Sequence, residues 1–238
     1  MPTETRVPWN DFPPVFIFAP LYTAQNHEFY EKAKKESDFY SALQLVKDIV
    51  NDSKLDELKR KVQSDKPLVV PVQAEEEFGV NMIPAAFAFH VARMLGLAAP
   101  CDDILMANMP MRTGKSAFYR LLHYPIFTGK VISGQQYIIA DDTLVMGGTL
   151  TSLRGYIENN GGTVVQAIAL TGLDAAASLN IKDNMLKAIY DKHGEELNEW
   201  WKTKIGFAID KLTQGEAGHI KKAPNVDEIR ARIAEYEI

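Results

Sequence analysis

The sequence has 238 residues, of which 46% are hydrophobic and 24% are charged, and its formal net charge is −5. This is the composition of an ordinary globular protein, and the acidic balance argues against general affinity for nucleic acid. The lone cysteine, Cys101, excludes an internal disulfide and a zinc site built from several cysteines. We expect a cytoplasmic protein with neither a signal peptide nor a membrane-spanning segment, since the first 14 residues lack a basic stretch before an apolar run.

Helical and strand patterns alternate along the chain, and no linker or internal repeat separates them. The predicted elements are one long or two short helices in 28–63, a strand at 67–72, a helix at 81–97, a strand at 103–109, a strand at 137–140, a helix at 147–162 and a strand at 163–172. Asn81 and Gly96 are predicted to begin and end the second helical segment. The rest, from about 181, reads as mostly helical, and Asn225 caps a final amphipathic helix. Since the strands are continuously apolar, we predict one α/β domain over 1–238, with a parallel central sheet and helices on both faces.

A basic, turn-rich segment lies between the second and third predicted strands, and we predict a hairpin in part of it. No Asp or Glu occurs from Ile104 to Ala140, whereas Arg112, Lys115, Arg120 and Lys130 fall inside. The average frequency of acids in the chain would place about five there. An acid-free basic stretch in an acidic protein favours a local site for an anion.

The most informative stretch is "YIIADDTLVMGGTL", at 137–150. Ligands of an open parallel sheet bind beyond the carboxyl ends of its strands, where Asp141 and Asp142 are expected. The start of the next helix offers backbone N–H groups to an anion, and Gly147 and Gly148 let a phosphate approach closely. Thr149 adds a hydroxyl donor. A ribose 5-phosphate would satisfy both features, with its phosphate on the glycine turn and its vicinal hydroxyls on the carboxylates.

That stretch resembles the signature of the type I phosphoribosyltransferases, in which a hydrophobic strand, two acidic residues and a short loop precede Thr-Gly-Gly-Thr or a similar sequence. These enzymes bind phosphoribosyl pyrophosphate (PRPP) with Mg²⁺ and exchange its pyrophosphate for a nitrogenous base. The resemblance implies that Asp141 and Asp142 hold the ribose. It also implies a 5′-phosphate loop that contains Thr143, Val145, Met146, Gly147, Gly148 and Thr149. Met146 replaces the family's first threonine, so that one hydroxyl contact is lost.

The resemblance extends over about 66–172 and leaves 1–65 and 173–238 as terminal extensions. It places the start of a pyrophosphate loop at Gln73 and Ala74, although three glutamates, 75–77, follow at once. It also places the basic segment where the family has a flexible loop, so that Arg112, Lys115 or Arg120 would neutralise the departing pyrophosphate. The implied partners are a small nucleotide ligand with Mg²⁺, a purine-type base and a second copy in a homodimer, and no nucleic acid or membrane.

Two other interpretations stay open at this point. "TGKS" at 113–116 ends like the phosphate-binding loop of P-loop nucleotide hydrolases, but Met109 stands where that loop needs its first glycine. Alternatively, the protein is a non-catalytic sensor on the same fold that binds PRPP or guanosine tetraphosphate (ppGpp). Met146 and the run of glutamates favour this alternative.

Several other polar and aromatic residues are expected to have structural roles. The five histidines show no metal-ligand spacing, and His90 is expected to pack in the core. The paired tryptophans Trp200 and Trp201 are expected in the core or an interface. Core packing is also expected for most of the N-terminal aromatic residues, although they offer a stacking surface for a base: Trp9, Phe12, Phe16, Phe18 and Tyr22.

Overall fold

The computed structural model describes residues 4–62, 66–73, 75–76, 79–108 and 114–237. Eight strands occur within these ranges: β1 (Phe16–Pro20), β2 (Leu68–Pro71), β3 (Glu75–Glu76), β4 (Gly79–Val80), β5 (Ile104–Met106), β6 (Phe127–Gly129), β7 (Gln136–Leu144) and β8 (Thr163–Gly172). The same ranges contain ten α-helices: α1 (Tyr30–Lys35), α2 (Phe39–Ile49), α3 (Asp52–Lys61), α4 (Ile83–Leu95), α5 (Ala117–Leu122), α6 (Gly148–Asn159), α7 (Asp183–His193), α8 (Glu196–Ile205), α9 (Gln214–Lys222) and α10 (Val226–Ala234).

Four of these strands form the central sheet, in the order β1-β8-β7-β2. All three strand pairs are parallel, so the four carboxyl ends lie at one edge of the sheet. Alternate residues of β7 enter two different cores: Ile138 and Ala140 pack with α1 to α4, while Tyr137 and Ile139 pack with α6. The sheet is therefore covered by helices on both faces, which confirms the predicted α/β architecture.

The region before residue 66 differs from its prediction in two ways. It contains three helices rather than one or two, because Asp38 and Asn51 each cap a new helix with a side-chain oxygen that accepts backbone N–H bonds. It also supplies an edge strand of the central sheet, β1, which the sequence pattern did not predict. Of the N-terminal aromatic residues, Trp9, Phe16 and Phe18 are buried, as expected.

The strand predicted at 103–109 was assigned to the wrong sheet. Within the described part of this range, 103–108, the strand is limited to Ile104–Met106, which pair antiparallel with Phe127–Gly129 in a separate two-stranded sheet. A three-residue apolar run does not reveal which sheet it joins, since its side chains fit either one. This pairing is not the hairpin that was expected within 111–135, because β5 precedes that segment and α5 lies between the two strands.

A third core holds the C-terminal helices together and includes α5 from the basic segment. Trp201 and Phe207 are fully buried there, against Phe118 and Leu121 of α5. The predicted helix ends are confirmed at Gly96, in a left-handed conformation, and at Asn225, whose side chain accepts the N–H of Glu228 at 2.9 Å. Among the helices in the described ranges, none is both long enough and apolar enough to cross a bilayer.

Candidate functional site at the carboxyl edge of the sheet

The aspartate pair lies on β7 just beyond the end of its neighbour β2. The last pairing between these strands joins Pro71 to Ala140, and the N–H of Val72 donates to the carbonyl of Ala140 at 2.8 Å. Asp141 and Asp142 come next in β7, with side chains that are almost entirely buried. Since β2 has already ended, both aspartates occupy the carboxyl edge at which ligands of such sheets bind.

The strand does not stop before the aspartates, as the sequence suggested, but continues to Leu144. Successive side chains of a strand point to opposite faces, so Asp141 lies on the α6 face and Asp142 on the face of α1 to α4. The Oδ2 of Asp142 accepts a hydrogen bond from the Nδ2 of Asn81 at 2.7 Å, and the Nζ of Lys34 lies 3.7 Å from the same oxygen. The two carboxylates therefore have different surroundings.

On the opposite face, Asp141 has other neighbours. Its Oδ1 accepts the backbone N–H of Asp142 at 2.9 Å. Burial lowers the pKa of the Arg120 guanidinium, and the carboxylates of Glu216 and Asp141 oppose that shift. Arg120, from α5, therefore lies close enough to Asp141 for the two charges to interact.

Lys115 was also expected at the site, but its position differs from that of Arg120. It is exposed, and its ammonium group lies 5.4 Å from the centre of the Tyr119 ring. Nothing in its contacts connects it with the aspartates. Arg112 lies outside the described residues.

A turn of glycines connects β7 to α6, as the motif indicated. Gly147 caps α6 in a left-handed conformation, with φ of 77°. A Cβ at this position would also overlap the buried side chain of Leu179. Both the backbone and the packing therefore require glycine, which brings the chain directly into the first turn of the helix.

The remaining predicted loop residues flank this turn. Thr143 lies in β7 with its Oγ1 3.4 Å from that of Thr171, and Val145 is 38% exposed. The carbonyl of Met146 accepts a 2.7 Å hydrogen bond from Thr213 Oγ1. Thr149 is half-buried in the first turn of α6.

The first predicted ligand loop follows β2. Gln73 is half-buried, and its carbonyl accepts the N–H of Met106 at 3.3 Å. Ala74 and Glu77 lie outside the described residues, while the backbones of Glu75 and Glu76 pair with β4 in a two-residue ladder. This short ladder leads into α4, whose first N–H, at Ile83, donates to Asn81 Oδ1 at 3.1 Å.

Sequence reasoning missed three polar residues near the predicted site. Asn81 was identified only as a helix cap, and its second contact joins it to Asp142, 61 residues later in the sequence. Lys34 and Arg6 lie in the N-terminal extension, where no motif was recognised. Their long separation in sequence from 141–149 leaves no local pattern that would have found them.

A cleft lies elsewhere in the molecule. It has a volume of about 550 Å³ and lies beside edge strand β1, between Phe16, Lys54, Arg60 and Gln166. No residue of 141–149 lines it. Within the described ranges, no group of three or more His, Cys, Asp or Glu side chains is arranged to hold a metal ion.

Comparison with known proteins identifies similar sequences but no family. No family model matches this chain. The chain is 47% identical over 229 residues to "Protein TraN" of Escherichia coli, an alignment that covers 96% of this chain and 51% of that protein. It is also 42% identical over 156 residues to an uncharacterized protein of Haemophilus influenzae, which covers 65% of this chain and 34% of that protein. The chain thus spans about half the length of one curated relative and about a third of the other.

A solved structure of UMP synthase from Leishmania donovani aligns with 82% of this chain and 33% of its own. The identity is 14% and the TM-score is 0.33. A similarity at this level does not support an assignment of function. The residues of the site itself are therefore the basis for a proposal about function.

Proposed function

We propose that this chain binds a ribose phosphate such as PRPP and transfers its phosphoribosyl group between pyrophosphate and a nitrogenous base of the purine type. One relationship carries the proposal. Two buried carboxylates at the carboxyl end of β7 are followed, five residues after Asp142, by a left-handed glycine that opens α6. The spacing between an acidic pair and an anion-binding helix start suits a ligand with hydroxyls at one end and a phosphate at the other.

In the proposed reaction, the bond between ribose C1 and the pyrophosphate oxygen breaks, and a base nitrogen forms the new bond to C1. The 5′-phosphate would lie on the amides at the start of α6, and the aspartates would accept hydrogen bonds from the ribose hydroxyls. Their negative charge would also stabilise the cationic ribose of the transition state. Arg120, the half-buried cation of α5 whose charge interacts with that of Asp141, would offset the charge of the leaving pyrophosphate.

Magnesium would enter this site with the ligand rather than in a cage of protein groups. Mg²⁺ commonly takes one or two carboxylates together with phosphate oxygens and water. Asp141 and Asp142 are oxygen donors of the right kind, although Oδ2 of Asp142 already accepts a bond from Asn81. Bound Mg²⁺ would neutralise the pyrophosphate as it leaves.

A non-catalytic sensor of PRPP or ppGpp is the second candidate. The contacts of Asp142 with Asn81 and Lys34 favour it, because a carboxylate already held by protein groups has less capacity for a reacting ribose. Met146 favours it too, since its side chain brings no hydroxyl to the phosphate loop.

One assay separates the two candidates. The protein is incubated with PRPP, Mg²⁺ and a panel of bases while pyrophosphate release is followed. Release with a particular base supports the transferase. No release with any base, together with a raised melting temperature in PRPP or ppGpp, supports the sensor. If neither ligand changes the melting temperature and no pyrophosphate is released, both candidates are wrong.

A further inference from the structure

A buried ion pair joins the two terminal extensions directly behind the glycine turn. Arg6 and Glu216 are each 1% exposed. Arg6 Nη1 lies 2.7 Å from Glu216 Oε2, and Arg6 Nη2 lies 3.2 Å from Oε1. The guanidinium also lies 4.2 Å from the centre of the Phe207 ring. Because removing two charges from water is costly, such pairs seldom add net stability, and a role in fixing a conformation is the better-attested alternative.

This pair and its neighbours hold the turn through two of its carbonyl oxygens. Arg6 Nη2 donates to the carbonyl of Gly148 at 3.2 Å. Glu216 Oε2 accepts the N–H of Thr213 at 3.0 Å, and Thr213 Oγ1 donates to the carbonyl of Met146 at 2.7 Å. We call Arg6, Thr213 and Glu216 the brace.

The brace also determines the direction of the amides in the turn. A trans peptide unit is planar, and its N–H points opposite to its C=O. When the carbonyl of Met146 is held by Thr213, the N–H of Gly147 must point away from the brace. The same argument applies to the carbonyl of Gly148 and the N–H that follows it. The N–H groups that would bind a phosphate are therefore oriented by contacts on the opposite side of the turn.

We propose that Arg6, Thr213 and Glu216 are positioning residues for the ribose-phosphate loop, an inference that rests on the proposed function. The two terminal extensions, in which no motif was recognised, would then have a role in ligand binding. They set the geometry of the loop without touching the ligand. Preorganised donors of this kind raise affinity, because little reorganisation is needed when the anion arrives.

Thr213 allows a test that separates positioning from stability. Thr213→Val removes the bond to Met146 and the cap of α9, while Thr213→Ser keeps the hydroxyl. Asn225→Ala is the control, because it removes the cap of another helix, α10, in which the side-chain oxygen of Asn225 accepts the N–H of Glu228. The probe is ribose 5-phosphate, titrated by calorimetry. We expect about a tenfold loss of affinity in Thr213→Val and less than about twofold in the other two variants. Wild-type affinity in Thr213→Val would show that the brace does not position the loop.

A second variant removes the ion pair as a unit. Single substitutions at Arg6 leave a buried charge without its partner and endanger folding. The double variant Arg6→Met with Glu216→Leu removes both charges and is expected to fold, with a melting temperature somewhat below the wild-type value because the buried N–H of Thr213 also loses its acceptor. Its affinity for ribose 5-phosphate should still fall, because the carbonyl of Gly148 loses the guanidinium donor, although the hydroxyls of Thr151 and Ser152 still donate to it. A stably folded double variant with unchanged affinity would contradict the inference.

A measurement without ligand distinguishes a failure of this inference from a failure of the proposed function. Backbone order parameters of Gly147 and Gly148, from ¹⁵N relaxation, report how rigidly their amides are held. They should decrease in Thr213→Val and remain unchanged in Asn225→Ala. If the wild-type protein does not bind ribose 5-phosphate, the proposed function is wrong, and the order parameters alone decide whether the brace holds the turn. If the order parameters do not change in Thr213→Val, the brace does not hold the turn, whichever ligand the protein binds.

Discussion

The carboxylate of Asp142 accepts a 2.7 Å hydrogen bond from the side-chain amide of Asn81, and both residues are buried. Asp141, its neighbour in the chain, lies on the other face of β7 and shares its surroundings with Arg120. Two adjacent residues of the same type thus belong to different parts of the molecule. Their replacement should have different consequences, although the motif treats them as a pair.

We predict that Asp142→Asn lowers stability by about 1–3 kcal/mol, because it disturbs a charged hydrogen bond in a buried position. Asp141→Asn should leave stability closer to the wild type but should weaken binding of ribose 5-phosphate about tenfold or more. Thermal unfolding and calorimetric titration measure the two effects separately. Asp102→Asn, at an exposed position outside the site, serves as the control. Unchanged affinity in both site variants would remove the aspartates from the proposed ribose site.

Gly147 should not tolerate a methyl group. Gly147→Ala places a side chain at φ of 77° and against Leu179, so we expect a loss of at least about 1–2 kcal/mol in unfolding free energy. The distorted turn should also weaken ribose 5-phosphate binding, because its amides would move. Urea unfolding and calorimetry provide both values.

A second glycine offers a matched control for that substitution. Gly218 lies inside α9, where an added Cβ would meet no atom within 4 Å. Gly218→Ala should therefore stabilise the protein by about 0.5–1 kcal/mol without changing affinity. Equal effects of the two alanines on affinity would mean that the shape of the turn has no special importance.

The parts of the fold that were predicted correctly have strong local patterns. Thr163–Gly172 is a long apolar run that follows "NNGG", and the structure gives the same bounds for β8. By contrast, β1 is only five residues long and is preceded by two prolines, so its pattern is weak. The formation of β1 depends on its pairing with β8, which lies about 150 residues later in the sequence.

The site could be predicted only where its residues are close in sequence. The aspartates and the glycine turn lie within nine residues, from 141 to 149, and the motif connects them. Asn81 and Arg6 approach the same region from 61 and 142 residues away, to Asp142 and Gly148. Contacts of this kind depend on tertiary packing, which no local spacing encodes.

Acidification should destabilise the protein through three histidines, of which His193 is buried and His90 and His219 are half-buried. Burial lowers the pKa of His193, and it also lowers the pKa of His90 and His219. Below about pH 6.5 the unfolded chain binds protons that these folded histidines resist, so stability present above that pH is lost as the pH falls. Urea unfolding between pH 7.5 and 5.5 measures the slope.

His193 provides the specific check. Its Nε2 lies 3.1 Å from the carbonyl of Ile220, and its buried Nδ1 has no hydrogen-bond partner among the residues that the structure describes. His193→Gln offers an amide donor for the same carbonyl but has no group that titrates in this range. The variant should therefore show a shallower dependence on pH than the wild type. An identical slope would assign the effect to the other histidines.

Glu4 should stabilise the attachment of the N-terminal segment at neutral pH. Partial burial alone would raise the pKa of Glu4, but hydrogen bonds from Lys211, the N–H of Ala208 and Lys202 outweigh it and lower the pKa to about 2. Because this folded-state pKa is depressed, the stabilisation is present above the unfolded value of about 4.5 and is lost as the pH falls towards 2. Glu4→Gln should therefore be less stable than the wild type at pH 7, and the difference should shrink below about pH 4.5. Urea unfolding of both proteins at pH 7, 4.5 and 3.5 tests this, and a difference that stays constant across the three values would show that the charge of Glu4 has no part in the attachment.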